Sequence, residues 1–298
     1  MIYVLISVLC SVTVSVLLKF ARNQGLDTSQ IIVWNYPVAA GLTFLFFTPQ
    51  IEFLTHPDAP WGIYLLLAVL LPSVFFALGA SLRTTGLVRT EIAQRLSLII
   101  PLIAAFYWFG ETASTGTWIG LGMGLLAIGL SIGWHKEDTG KVGQVGQGGR
   151  ASSISTGWLY PLLVFIGYGI CDVLFKSIAQ ITSIPYTTSM FFVFVMAMLV
   201  AFLYLILWSS LGKIQLSVRA IAWGLVLGAF NFANILFYMR AHRALPDNPS
   251  IVFTGMNIGV ISLGALVGVL VFREKLSTLN KIGLVLAMVS ILVLAAFI

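Results

Sequence analysis

The chain has 298 residues, 59% of them hydrophobic and 9% charged, with 16 Lys and Arg against 10 Asp and Glu. An ordinary soluble domain carries about 25% charged residues, so this composition excludes a soluble globular fold, and the mean hydropathy of +1.02 points to an integral membrane protein. The net charge of +6 comes from basic residues scattered singly between apolar runs, a pattern that excludes a nucleic-acid patch and reads as membrane topology.

The first apolar run, 2–20, has no basic leader before it and no small-residue cleavage pattern after it. It therefore reads as a span and not as a signal peptide. A helix crosses a bilayer with about 20 apolar residues, and runs of that kind, bounded by charges and turn residues, follow at 30–48, 61–82, 87–109, 116–134, 157–179, 187–208, 219–241, 248–272 and 278–298. The predicted fold is an all-α integral membrane protein with ten transmembrane helices. All eight tryptophans, Trp34, Trp61, Trp108, Trp118, Trp134, Trp158, Trp208 and Trp223, fall near span ends, as an interfacial aromatic belt requires. Pro37, Pro72 and Pro101 lie within spans, where each removes a backbone hydrogen bond and favours a bend. Gly-x-x-x-Gly spacings at 116–120, 120–124, 224–228, 255–259 and 264–268 predict close helix packing.

Ten spans place both termini on one side. The opposite side then carries Lys19, Arg22, Arg83, Arg89, Arg95, Lys136, Lys141, Arg150, Lys213, Arg219, Arg273, Lys275 and Lys281, while the terminal side carries only Lys176, Arg240 and Arg243. Basic residues concentrate in cytoplasmic loops, so both termini are expected to be non-cytoplasmic in a cell membrane. The polar, Gly- and Ser-rich stretch at 135–156 reads as a flexible cytoplasmic linker between a first unit, 1–134, and a second, 157–298.

The two units repeat one another. PLIAAFYWFGETASTGTWIGL at 101–121 matches GALVGVLVFREKLSTLNKIGL at 264–284 without a gap, placing Glu111 on Glu274 and Gly120 on Gly283. VLLKFARNQ at 16–24 matches VLFKSIAQ at 173–180, placing Lys19 on Lys176. Five spans per unit make the second enter the membrane from the opposite side, an inverted-topology repeat whose substrate site is expected near the midplane where the halves meet.

Pro101, Glu111 after a Phe-Gly pair, and the glycine-spaced span with Gly116, Gly120, Gly122, Gly124 and Gly129 resemble the EamA-type repeat of the drug/metabolite transporter superfamily. The second copy keeps Glu274 and Gly283 and has Gly264 in place of the proline. The resemblance covers both halves and implies a ten-helix carrier of small metabolites or drugs. LLKF at 17–20 and LFKS at 174–177 also resemble the end of the first helix of small multidrug resistance proteins. That family has a proton-coupling glutamate eight residues before the lysine. Ser11 and Tyr168 occupy those positions here, so its coupling chemistry is not implied.

Ionisable groups inside a bilayer cost about 2.5–3.5 kcal/mol on insertion scales and are functional candidates by default. Asp172 is the deepest carboxylate and the candidate coupling residue. Lys176 follows it at i+4, so the pair reads either as a substrate or proton site or as an intrahelical ion pair. Asn231, Asn234 and Tyr238 share one face of the eighth span, which must meet protein or a wet cavity because lipid satisfies no carboxamide. Gln94 and Asn257 are symmetry-related carboxamides under the repeat. With Tyr168 these residues form the candidate cavity set. Arg95 reads either as an anion contact or as a snorkelling side chain, Glu91 forms an i, i+4 pair with it, and Glu111 and Glu274 are expected to stabilise helix N-termini. His56, His135 and His242 read as surface histidines.

Cys10 and Cys171 stand in apolar runs without metal-ligand spacing, so neither a disulfide framework nor a metal or other cofactor is expected. No phosphate-binding glycine loop is present, which argues against direct ATP drive. The expected function is secondary active transport of a small-molecule substrate by alternating access, more readily export or exchange, with a proton or counter-substrate as second partner and a monomer as a sufficient unit. A passive channel and a membrane-embedded lipid-modifying enzyme are the rival classes, the second disfavoured by the lack of an interfacial His/Asp/Glu cluster.

Overall fold

The computed structural model describes residues 1–84, 90, 93–112, 114–131, 159–211, 216–272 and 278–296. The expected linker, Arg89, Glu91, Glu274, His135, Trp134 and Trp158 lie outside the described residues. Among the described residues every regular element is helical: α1 (Ile2–Asn23), α2 (Thr28–Phe47), α3 (Trp61–Thr84), α4 (Ile99–Tyr107), α5 (Thr115–Ser131), α6 (Leu159–Gln180), α7 (Tyr186–Ser210), α8 (Val218–Ala244), α9 (Pro249–Phe272) and α10 (Thr278–Ala296), with a 3₁₀ turn at Ile51–Thr55. Helices α1–α3 and α6–α9 are long and apolar enough to cross a membrane, and shorter apolar helices run at Ala93–Tyr107, Thr115–Ile128 and Lys281–Leu294. Helical structure is what such sequences require, because a backbone in lipid must satisfy its own hydrogen bonds. Large apolar side chains such as Leu45, Phe46, Leu203, Leu270 and Leu292 point outward, as lipid solvation allows.

Local chemistry sets the helix limits. The Asp27 carboxylate accepts the Ser29 N–H at 2.7 Å and caps α2, which ends at Thr48 in a left-handed conformation, φ 41°. The Ser114 hydroxyl accepts the Thr117 N–H at 3.1 Å and opens α5. Before α4 the chain turns at Ser97 and Leu98. Pro101 has no N–H to give the Ser97 carbonyl, which takes the Ile100 N–H instead at 3.1 Å.

The halves interleave. Helices α1 and α2 pack on α8, and α3 packs on α6 and α7; α2 meets α7, and α5 meets α10. The α2–α8 seam depends on absent side chains. A Cβ at Gly228 would stand 2.7 Å from the Asn35 carbonyl oxygen, and one at Gly224 would stand 2.8 Å from that of Ile31. Gly264, by contrast, faces open space, so the 264–268 spacing is not a close seam at that residue. Polar contacts also tie the halves. The Gln30 amide exchanges hydrogen bonds of 3.1 and 3.0 Å with the Ser217 backbone, and the Tyr64 and Ser189 hydroxyls lie 2.6 Å apart. Among the described residues Trp34 departs from the expected belt: it packs edge-on against Phe202, and its buried indole nitrogen has no hydrogen-bond partner there.

Candidate functional site

The polar stripe of α8 is distributed among three helices. The Asn231 amide donates to Asn35 Oδ1 on α2 at 2.9 Å, and the Ser7 hydroxyl on α1 lies 2.8 Å from Asn234 Oδ1 and 2.9 Å from its backbone oxygen. The Tyr238 hydroxyl donates to Asp172 Oδ1 on α6 at 2.9 Å. At Asn231 and Asn234 the geometry is therefore interhelical hydrogen bonding. Each bond fixes α8 against a different neighbour, which membrane helices without a hydrophobic drive between them require.

Asp172 sits at the centre of a wider group. Tyr168 lies within electrostatic reach of Asp172, Cys171 and Arg95, and Tyr36 lies within reach of Tyr168 and Cys171. Tyr36 is 1% exposed and its hydroxyl has no hydrogen-bond partner among the described residues. The Tyr168 and Tyr238 hydroxyls thus lie near one carboxylate and one thiol, and that of Tyr36 near the thiol. That arrangement can accept a hydrogen-bonding or cationic group and can hold a proton on the carboxyl.

Lys176 does not pair with Asp172. Its ammonium donates to the Pro246 carbonyl at 2.8 Å and lies 5.8 Å from the Phe109 ring centroid. Of the two readings that the sequence offers for this pair, the intrahelical ion pair is not formed. Asp172 is engaged by Tyr238, and the lysine stem carries its charge toward the loop after α8, where Asp247 and Glu111 act on it. The side chain is completely buried.

Glu111 crosses between halves. It caps α9 and not its own α5: its carboxylate accepts the Ser250 N–H at 2.9 Å and the Ser250 hydroxyl, near the positive end of the α9 dipole. Burial pushes its carboxyl above the ordinary glutamate value, opposed by the Ser250 bonds and the Lys176 charge. Gln94 and Asn257 are half-buried. The Gln94 backbone carbonyl accepts from the Ser97 hydroxyl at 2.6 Å, and the Asn257 amide donates to Phe253 of its own helix at 3.1 Å. Among the described residues no hydrogen bond joins either to the Asp172 group.

His242 is a correction. It is no surface histidine but 1% exposed, packed between the rings of Tyr238 and Phe253 with centroids 4.7 Å away in each case. Its position extends the α8 stripe by one turn beyond Tyr238, a signal that helical spacing carried. His56 does match its reading, half-exposed beside Asp58 at 3.8 Å.

Apolar spanning helices with polar groups held between them define a multi-pass helical membrane protein. The model of the EamA-like transporter family matches residues 1–133 of this chain, consistent with a member of the drug/metabolite transporter superfamily. An uncharacterized protein of Haemophilus influenzae is 38% identical over 293 residues, covering 96% of this chain and 94% of its own. A protein known from a crystal structure, 13% identical, has the same fold with a TM-score of 0.67 over 98% of this chain and 94% of its own.

Proposed function

We propose that the chain is a secondary active transporter that moves a small metabolite or drug by alternating access between two inverted five-helix units, 1–134 and 157–298, joined by the 135–156 linker. The observation that carries this reading is the reciprocal packing. If α1–α5 correspond to α6–α10, then α1 on α8 mirrors α6 on α3, α2 on α8 mirrors α7 on α3, and α5 on α10 lies on the axis. Such exchange is what a two-fold axis in the membrane plane produces, and it lets the halves rock about a central site.

In this reading the ten helices are ten spans, both termini face away from the cytoplasm, and the protein works in the cell membrane as an exporter or exchanger. Asp172 is the coupling group, with Tyr168 and Tyr238 beside it. Asn231, Asn234, Gln94, Asn257 and Lys176 line or brace the path, and one chain suffices because it contains both units. A thermal-shift screen of the purified protein against metabolite pools identifies ligands, since binding to the folded state raises its melting temperature. Counterflow of a labelled hit in proteoliposomes then tests the mechanism. Saturable counterflow is expected, and flux that never saturates would instead identify a channel.

A further inference from the structure

We propose that the recess between the ends of α6 and α8 binds a phosphate group, carried either by a free solute or by a lipid headgroup. This site is separate from the Asp172 group and needs, of the proposed reading, only its topology. The recess has a volume of about 410 Å³ and is lined by Ala179, Gln180, Thr182, His242, Arg243 and Pro246. Three observations point to an oxyanion.

First, Lys176, Arg240 and Arg243, the three basic residues that the topology count assigns to the sparse side, all gather here. Lys176 lies behind the lining on the Pro246 carbonyl. The Arg240 guanidinium donates to the Tyr186 hydroxyl at 3.2 Å, and that of Arg243 lies 5.1 Å from the same ring centroid. In the proposed topology that side is non-cytoplasmic, where basic residues are depleted, so their grouping at one recess needs a cause. Secondly, both ring nitrogens of His242 are buried and, among the described residues, unpartnered. Buried polar groups are otherwise almost always paired, and a neutral imidazole offers one N–H donor and one acceptor. Thirdly, Arg243 is exposed and makes no hydrogen bond among the described residues. The Gln180 amide, the Thr182 hydroxyl and the Arg243 guanidinium line the recess with donors, which suits an oxyanion. Of the nearby acids, Glu111 is engaged by Ser250, and Asp247 is exposed.

The test measures the unfolding midpoint of the full chain in maltoside micelles. One arm titrates inorganic phosphate against chloride at constant ionic strength, and the other dopes the micelles with phosphatidylglycerol. A saturable rise is expected in at least one arm, with apparent affinity weakened about tenfold or more by Arg243→Gln and by Thr182→Val, and unchanged by Lys281→Gln. A response to inorganic phosphate identifies a solute site, and one confined to phosphatidylglycerol identifies a headgroup site. No rise in either arm, or a rise that Arg243→Gln and Thr182→Val leave intact, overturns the proposal.

Discussion

The segments Ser15–Lys19 and Asp172–Lys176 read SVLLK and DVLFK, yet their surroundings differ. Ser15 donates to the Ser11 carbonyl of its own helix at 3.2 Å, whereas Asp172 is held by Tyr238 across the α6–α8 contact. Lys19 is exposed and Lys176 is wholly buried on the Pro246 carbonyl. Helix α6 packs on α8, and α1 has no comparable packing on α3. Under the proposed inversion the two motifs point to opposite membrane faces, and among the described residues the lysine is buried at one and exposed at the other. A duplicated motif thus has two environments in one chain, which is the condition alternating access requires: a rocking motion would exchange them.

The largest effect that could break this contrast is one of access. In a background without native thiols (Cys10→Ser, Cys171→Ala), Lys19→Cys is expected to react with a membrane-impermeant maleimide about tenfold or more faster than Lys176→Cys, because thiol modification follows exposure. Equal rates would remove the contrast. Next comes Asp172→Asn, which keeps an acceptor for Tyr238 but carries no charge. Counterflow of the screened ligand is expected to fall roughly tenfold with an altered pH profile, as for a functional ionisable group in a membrane, while Ser15→Ala leaves both unchanged. Full activity with an unchanged profile in Asp172→Asn would reduce that carboxylate to a structural brace. A smaller effect is expected for Lys176→Met, which keeps the buried stem and removes a charged hydrogen bond worth about 1.5–3 kcal/mol, read as a drop of several degrees in the unfolding midpoint. Lys19→Met, on an exposed lysine, should stay within about 0.5 kcal/mol. Matching losses in the two variants would mean that burial at Lys176 has no energetic weight.

Helix positions were largely legible in the sequence, because an apolar run bounded by charges and turn residues has few alternatives in lipid. The expected start of α7 at 187 and of α8 at 219 lies one residue from the observed Tyr186 and Val218. The α8 stripe was legible from spacing, but its partners were not. Asn35 and Ser7 are single polar residues in other helices, and only the interleaving of the halves brings them to Asn231 and Asn234. Lys176 was ambiguous for a related reason: i, i+4 spacing permits an ion pair, but tertiary contacts offered each partner a different bond. Glu111 was legible as a stabiliser of a helix N-terminus, but sequence proximity does not say of which helix. The fold offers Ser250, 139 positions away.

That Glu111–Ser250 link yields the smallest and most specific prediction. Burial holds the Glu111 carboxyl above its ordinary value of 4.5, opposed by the Ser250 hydrogen bonds and the Lys176 charge. A carboxyl that is harder to ionise in the folded chain binds more protons folded than unfolded, so its ionisation favours unfolding. Its contribution to stability is complete below pH 4.5 and declines as pH rises from there through the raised folded value. Glu111→Gln removes the titration and should flatten the pH dependence of the unfolding midpoint across that window. The amide also gives up the anionic cap on α9, a loss of about 1 kcal/mol, visible as a small drop in the midpoint where the wild-type carboxyl is ionised. Persistence of the full wild-type slope in Glu111→Gln would assign the pH dependence to another group. It would leave Glu111 a cap without a titration, and the surroundings of the buried lysine insensitive to acid through this residue.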